Sequence, residues 1–138
     1  MFKKGTYQFN KDANFNFQLN RVVMWGNGDP DEIAQVSGRI SDSKSWVKAL
    51  KSLVKKAKSE GRTDAQIGYM RMAEFFMYDS DPDKLKTYQA AKELFYQYYA
   101  PVIRENSIEL AKVPYSTGYL PVMHCHGMGE FRGAVLLH

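Results

Sequence analysis

Residues 130–138 read Glu-Phe-Arg-Gly-Ala-Val-Leu-Leu-His, and this stretch sets the expected fold. After the turn signal Arg132-Gly133, four apolar residues follow without interruption, which is typical of a strand buried on both faces of a mostly parallel sheet. Such a strand needs a neighbour on each edge and cover on each face. Because it is the last segment of the sequence, we expect the sheet to be incomplete within these 138 residues.

The composition is that of an ordinary globular domain. Apolar residues make up 44% of the chain and charged residues 25%, and 138 residues are enough to bury a core. The net charge of +4 is only mildly basic, and the lysines do not form one Arg-rich stripe, so we expect no nucleic-acid partner. The lysine-rich residues 48–58 alternate with apolar residues at helical spacing. This favours a solvated helix face, with a phosphate or lipid contact as the alternative.

Cysteine usage and hydropathy bear on the compartment. Cys125 is the only cysteine, which excludes an intrachain disulfide and agrees with a reducing environment. The first residues lack the apolar core of a signal peptide, and no apolar run reaches the roughly 20 residues that a membrane span requires. We therefore expect a soluble, cytoplasmic protein without a membrane partner.

Helical periodicity occupies the larger part of the chain. Asp12 is a plausible N-cap of the first helix, and residues 41–43 supply a cap for the third. The fourth helix, capped by Thr63 or Asp64, is apolar on nearly all sides, which indicates a central, buried helix. Pro101 is predicted to end the fifth helix. The five predicted helices cover approximately residues 12–25, 30–40, 43–60, 63–78 and 83–99.

The pattern then changes from helical spacing to alternation. Residues 108–113 predict a first strand, and residues 120–125 predict a second, in which Pro121 favours an edge position. Residues 114–118 carry turn chemistry between these two strands. Residues 131–138 predict the third strand, after a loop.

The predicted fold class is therefore α+β. A block of about five helices over residues 1–104 precedes about three strands over residues 105–138, which begin a truncated sheet. This organisation is expected of the front part of a larger protein, in which helices fold over a catalytic domain that has only begun.

Three histidines lie in or beside the last two predicted strands. Alternate residues of a strand share a face, so His124 and His126 would point the same way and could hold Zn²⁺, with His138 as a third ligand. The alternative is that they are polar residues of an exposed edge strand and its loop. Because no HExxH or CxxC motif accompanies them, we expect no metal site and no cofactor.

Arg71 and Glu74 are charged residues within the apolar fourth helix. Charges in such a helix must pair or face a cavity. Either they form an i,i+3 ion pair with one edge in water, or this helix face lines a pocket shared with a neighbouring domain. The sequence has no G-x-S-x-G elbow and no evident base for Cys125, so we expect no catalytic residue within the chain.

Several stretches together, in this order, resemble one family. They are FNFQLNR (residues 15–21), Trp46, EGR (60–62), RMAEFF (71–76), VPY (113–115), LP (120–121) and VLLH (135–138). The chain resembles the N-terminal part of α/β hydrolases that carry a helical domain ahead of the catalytic core. This group includes dihydropseudooxynicotine hydrolase and its bacterial relatives.

The resemblance implies that the helices form a lid or side domain over a substrate pocket, with Arg71, Glu74 and Phe75 nearest to it. It also implies that the strand ending at His138 leads into a Gly-Gly loop that supplies an oxyanion-hole N–H. The nucleophilic Ser, the acid and the catalytic His would come later in the parent enzyme.

The parent would then hydrolyse an ester or carbon–carbon bond of a small molecule, while these residues alone would be inactive. The alternative is a small helical protein-interaction module with a β-rich tail and no catalysis. In either case an apolar strand with an unpaired edge is a template for pairing with another chain, so we expect self-association through the C-terminal strands.

Overall fold

The computed structural model describes residues 6–130 and 132–137, and it shows a mixed α+β chain. Within these residues, six helices precede one two-stranded antiparallel sheet. None of these helices combines the length and the apolarity needed to cross a membrane. The elements are α1 (Ala13–Trp25), α2 (Pro30–Ser37), α3 (Ser43–Ser59), α4 (Thr63–Phe75), α5 (Pro82–Tyr98), α6 (Ala100–Glu105), β1 (Glu109–Tyr115) and β2 (Gly118–His124).

The chain divides into two compact units, Met1–Tyr98 and Tyr99–His138. The first unit holds α1 to α5, and the second holds α6 with both strands. The boundary predicted between the helical and the strand region lies after residue 104, so residues 100–104 of α6 were assigned to the helical block and Glu105 to the strand region.

The first three helices begin at aspartates that cap them. The Asp12 carboxylate accepts hydrogen bonds from the backbone N–H groups of Asn14 and Phe15, which confirms the predicted N-cap of α1. Asp29 caps α2 in the same way, and Asp42 forms a capping box with Ser45 at the start of α3. These bonds satisfy backbone donors that the helices themselves leave unpaired.

The predicted caps of α4 were wrong. Thr63 is already the first helical residue, and Arg62 precedes it without a side-chain cap bond. The physical reason lies in the turn before the helix, where Gly61 has a φ of 71° and redirects the chain. Helix α2 is also shorter than predicted and ends at Ser37. The buried Asn10 amide donates to the carbonyl of Ser37, which the helix end leaves without a helical partner, and to the carbonyl of Ile40.

The core of the first unit is built around Trp46 of α3. Its Nε1 donates to the Met72 carbonyl of α4 at 2.7 Å. Its ring lies 5.5 Å from that of Phe15 in α1 and 4.9 Å from that of Phe76, centroid to centroid. Full burial of each large side chain contributes about 1.5–3 kcal/mol to folding. The largest fully buried side chains are Trp46, Tyr69, Leu19, Ile33, Leu50 and Val22.

The sixth helix was not predicted, and Pro101 explains why. Pro101 was predicted only to end the fifth helix, but it also lies in the first turn of α6. A proline is tolerated there because the N–H that it lacks would have no helical partner. The Ile103 N–H donates to the Tyr99 carbonyl at 2.9 Å, which starts the new helix.

The two strands form a hairpin around Ser116 and Thr117. Tyr115 pairs with Gly118 next to the turn, and Glu109 pairs with His124 at the open end. Ser116 has a φ of 52°, in the left-handed region that tight hairpin turns require. Pro114, which sequence analysis assigned to the turn, lies inside β1. A two-stranded sheet leaves each strand one free edge, and a proline is tolerated there.

The predicted third strand is not formed by residues 132–137, while residues 131 and 138 lie outside the described part of the chain. A strand exists only where its backbone groups pair with a neighbour. The described residues offer 132–137 no such neighbour, because their one sheet contains only β1 and β2. Val135, Leu136 and Leu137 are 86%, 87% and 90% exposed.

Candidate functional site

Arg71 and Glu74 form the ion pair that was one of the two arrangements predicted for them. The Arg71 Nη1 donates to Glu74 Oε2 at 2.8 Å, one helical turn apart on α4. The Arg71 side chain is 47% exposed and that of Glu74 is 13% exposed. The Arg71 guanidinium also lies 4.6 Å from the centre of the Tyr88 ring on α5. The pair therefore joins α4 to α5 and leaves the arginine partly accessible.

Phe75, the third predicted site residue, faces a different helix. It is half-exposed at the end of α4, where its ring meets that of Phe76 edge-on at 5.1 Å. The Arg21 guanidinium of α1 lies 5.9 Å from the Phe75 ring and 5.3 Å from the Trp25 ring. The structure thus brings Arg71 and Glu74 together and places Phe75 with side chains of α1.

Around Phe75, α1 presents an uncovered row of large side chains. Positions 17, 21, 24 and 25 fall on one side of a helix, opposite the buried Leu19 and Val22. Trp25 is 70% exposed, and Phe17 and Met24 are exposed as well. We call this surface the α1 aromatic face, and its members are Phe17, Arg21, Met24, Trp25 and Phe75.

Arg21 is the charged centre of the α1 aromatic face. Its Nη1 donates to Gln18 Oε1 at 2.9 Å. Its Nε is buried and has no hydrogen-bond acceptor among the described residues. A guanidinium that lies near two aromatic rings suits recognition of a carboxylate or a polar carbonyl group beside an apolar body.

A shallow groove of about 330 Å³ runs between α3, α4 and α5 of the same unit. Its floor is apolar, and the Lys51–Asp83 ion pair, at 3.2 Å, lies at its edge. None of the three predicted site residues lines it. The lining side chains are Lys51, Val54, Met70, Ala73, Asp83, Lys86, Thr87 and Ala90.

One buried charge cluster is structural. The Glu32 carboxylate binds Lys56 at 3.0 Å and Arg62 at 2.6 Å, and it accepts a hydrogen bond from the Tyr69 hydroxyl at 3.0 Å. That hydroxyl in turn accepts the Asp29 N–H at 2.8 Å. Burial raises the pKa of Tyr69, so its phenol remains a donor. Every member is engaged in holding α2, α3 and α4 together, which leaves no group free for chemistry.

The second unit carries a smaller polar cluster at the open end of the hairpin. Glu109, His124 and His126 are all exposed, and they offer ligand atoms within 4.8 Å of one another. The Nδ1 of His124 lies 3.5 Å from Glu109 Oε2, and the two imidazole rings are 4.1 Å apart between centroids. His138, the third histidine of the sequence interpretation, lies outside the described residues. Cys125, between the two histidines, is exposed.

Sequence reasoning missed Arg21 and Trp25 as site residues, although Arg21 belongs to the stretch that carries the family resemblance. An i,i+4 pairing of an arginine with a tryptophan was the available signal. It also missed Glu109, for which the signal was the register that a two-residue turn imposes on the strands.

In comparisons with protein-family models, curated proteins and solved structures, nothing matched this chain. The similarity to α/β hydrolases with a helical domain therefore stays a prediction that rests on short sequence stretches between residues 15 and 138. The exposed surfaces and contacts of the two units are the structural basis for assigning a function.

Proposed function

We propose that this chain forms the substrate-pocket lid of a serine α/β hydrolase that cleaves an ester or a carbon–carbon bond of a small molecule. The observation that carries the proposal is the α1 aromatic face. Ligand pockets are lined mainly by apolar and aromatic groups, with a few placed polar groups that fix orientation. The α1 aromatic face has this composition, with Arg21 as its only charged member.

Within this proposal, the α4 residues have different roles. Phe75 would contact the apolar part of the substrate, since it is half-exposed and adjoins the Arg21 guanidinium. Arg71 would contribute a partly accessible positive charge at the rim, and Glu74 would hold that charge in place through their ion pair. No cofactor is required for hydrolysis by a serine triad.

The second unit would supply the first strands of the hydrolase sheet, with residues 131–138 as a third strand and His138 leading into the oxyanion-hole loop. Support comes from the hairpin, because an isolated two-stranded hairpin is marginally stable in water. Both of its faces also carry exposed apolar side chains that further strands and helices would cover. These are Leu110, Tyr119 and Met123 on one face and Val113, Tyr115 and Leu120 on the other.

We also place the protein in the cytoplasm. The exposed thiol of Cys125 is the observation that favours this compartment, since an accessible free cysteine persists in a reducing environment.

The alternative function, a helical protein-interaction module without catalysis, draws on the same surface. A contiguous exposed apolar patch also marks sites where proteins bind one another. The two functions differ in what must accompany the chain, because a lid has no activity without a nucleophile, a base and an oxyanion hole.

The first test is to read the encoding DNA beyond the codon for His138. The hydrolase proposal expects Gly-Gly next and a G-x-S-x-G motif farther on. The 138-residue chain itself should not turn over a p-nitrophenyl ester above a denatured control. Turnover by this chain that a serine-directed inhibitor abolishes would count against the proposal. A coding sequence that contains neither motif would also count against it and would favour the interaction module.

The second test addresses the lid directly, in the full-length hydrolase that the proposal expects. Phe75→Ala should raise KM for ester substrates with little change in kcat, because it removes binding that is equal in the ground and transition states. Leu85→Ala is the matched control, since Leu85 is also an exposed apolar residue of the first unit but lies on α5, outside the α1 aromatic face. Equal KM values for both variants would show that the α1 aromatic face does not line the substrate pocket.

A further inference from the structure

The open end of the hairpin brings together three side chains that are separated in sequence. Glu109 begins β1 and pairs directly with His124, the last residue of β2. Directly paired residues of an antiparallel sheet share a face, so the Glu109 and His124 side chains emerge on the same side. His126 lies two residues farther on, where an extended chain returns to that side, and its ring lies 4.1 Å from that of His124.

The turn at the other end of the hairpin fixes this meeting. With only Ser116 and Thr117 in the loop, the strands have one register, in which Glu109 lies opposite His124. A slip of one residue would move Glu109 to the opposite face. The three donors are therefore positioned by the backbone pairing and not only by flexible side chains.

The spacing of the donors suits a transition metal ion. Zinc binds imidazole nitrogen and carboxylate oxygen at about 2.0–2.2 Å, which holds tetrahedral donors roughly 3–3.5 Å apart. The distance from His124 Nδ1 to Glu109 Oε2 is 3.5 Å, and all three ligand atoms lie within 4.8 Å. The side chains of His124 and Glu109 are 57% and 62% exposed, so small rotations can bring the donors closer without disturbing a core.

We propose that Glu109, His124 and His126 form a Zn²⁺ site that clamps the open end of the hairpin. Two imidazoles and one carboxylate are borderline and hard donors of the kind that Zn²⁺ takes, and three protein ligands leave a fourth position for water. The sequence predicted no metal site, because no HExxH or CxxC motif accompanies the histidines, and it considered His138 as the possible third ligand. The hairpin brings Glu109 to that position instead. The ligands come from both strands, so metal binding ties β1 to β2 at the end that the turn does not hold.

The direct test is calorimetric titration of the full chain, stripped with EDTA, with ZnCl₂. We expect one Zn²⁺ per chain. Loss of a ligand should weaken binding at least about tenfold, because even removal of a group that only orients a ligand costs 10–100-fold in affinity. Glu109→Gln, His124→Ala and His126→Ala should each show this loss, while circular dichroism confirms that the helices persist.

Two control variants test whether another histidine or the cysteine is a Zn²⁺ ligand instead. His138→Ala removes the remaining histidine of the sequence, and Cys125→Ser removes the thiol between the two ligand histidines. Both variants should bind Zn²⁺ as the unaltered chain does. Loss of binding in either control with retention in Glu109→Gln would overturn the proposed site, as would the absence of a one-to-one complex in the unaltered chain.

Amide hydrogen exchange tests the clamp separately from the affinity. A ligand that binds only the folded form stabilises it, so Zn²⁺ should slow exchange at residues 109–124. It should leave α3 unchanged, and Glu109→Gln should abolish the effect. Stoichiometric binding without slower exchange in the hairpin would show that the metal does not connect the strands, which contradicts the proposal.

Discussion

Gly68 lies where α4 passes the end of α1 at backbone contact. A Cβ added at Gly68 would lie 2.0 Å from the Gly26 carbonyl oxygen, and no rotation of a side chain can relieve that overlap. Gly68→Ala should therefore force α1 and α4 apart and lower the free energy of unfolding by about 1–3 kcal/mol or more. Urea denaturation followed by tryptophan fluorescence measures this loss.

The control for Gly68→Ala is Gly38→Ala. At Gly38, after α2, the backbone is helical and an added Cβ meets nothing within 4 Å. This variant should be unchanged or more stable by up to about 1 kcal/mol, because alanine has fewer unfolded conformations to lose. Unfolding of the two alanine variants at the same urea concentration would contradict the backbone contact between α1 and α4 at Gly68.

Tyr69 tests whether the buried charge cluster stabilises the fold through its hydroxyl. Tyr69→Phe would leave one oxygen of the buried Glu32 carboxylate and the part-buried Asp29 N–H without their shared partner. Such unsatisfied groups cost about 1–3 kcal/mol, so the free energy of unfolding should fall by that amount. Tyr78→Phe, at a tyrosine that is exposed, should change it by less than about 0.5 kcal/mol. Equal effects in the two variants would contradict the network.

Single residues also show where sequence reasoning stops. The alternation of residues along one strand predicted that His124 and His126 share a face. It could not identify Glu109, because the residue opposite His124 depends on the register between two strands. For Arg71 and Glu74, the sequence predicted either an ion pair or a helix face that lines a pocket, and the structure has the ion pair. Whether that helix face also borders a substrate pocket stays a prediction.

At the scale of elements, the start of α3 makes a pH-dependent contribution. The backbone N–H of Ser45, which donates to the Asp42 carboxylate, holds the pKa of Asp42 below its ordinary value of 3.8. A lowered folded-state pKa means that this stabilisation is complete above pH 3.8 and is lost as the pH falls through the lower value.

Asp42→Asn isolates this effect, because asparagine caps a helix about as well as aspartate but does not titrate in this range. The unaltered chain should be more stable than the variant near neutral pH, where the carboxylate also favours the helix dipole. That difference should shrink as the pH falls below 3.8 and through the lowered pKa of Asp42, as measured by urea midpoints at each pH. A difference that is constant with pH would show that the Asp42 carboxylate does not cap α3.

The helices were largely predictable because each of the first five shows apolar periodicity over at least two turns. Helix α6 is too short for periodicity, and its proline was equally consistent with a helix end. The apolar run at residues 132–137 predicted a strand from composition alone, although composition cannot provide the neighbour that a strand needs. The same limit applies to the first two strands: the sequence predicted them and the turn residues between them, but not their antiparallel pairing or its register.

At the scale of the whole molecule, the two units differ in how much apolar surface they bury. The first unit has a continuous core, in which Trp46, Tyr69 and Leu50 are fully enclosed. In the second unit, the described apolar residues of the hairpin and of 132–137 are mostly exposed. Burial of apolar surface is the main driving force of folding, so the second unit has the stronger tendency to acquire a partner.

We therefore predict that the chain self-associates through residues 109–137 by edge pairing or strand exchange. Within the described part of the chain, each strand of the hairpin has one edge without a neighbouring strand, and Val135, Leu136 and Leu137 are almost fully exposed. Burial of each such side chain in a partner would contribute on the order of 1.5–3 kcal/mol. Light scattering at high micromolar concentration should show dimers or larger species, and a chain that ends at Tyr98 should be monomeric. Val135→Lys should shift the full chain towards monomer, since it places a charge in the apolar contact. A full chain that is monomeric with either residue at position 135 would mean that this exposed surface does not drive association.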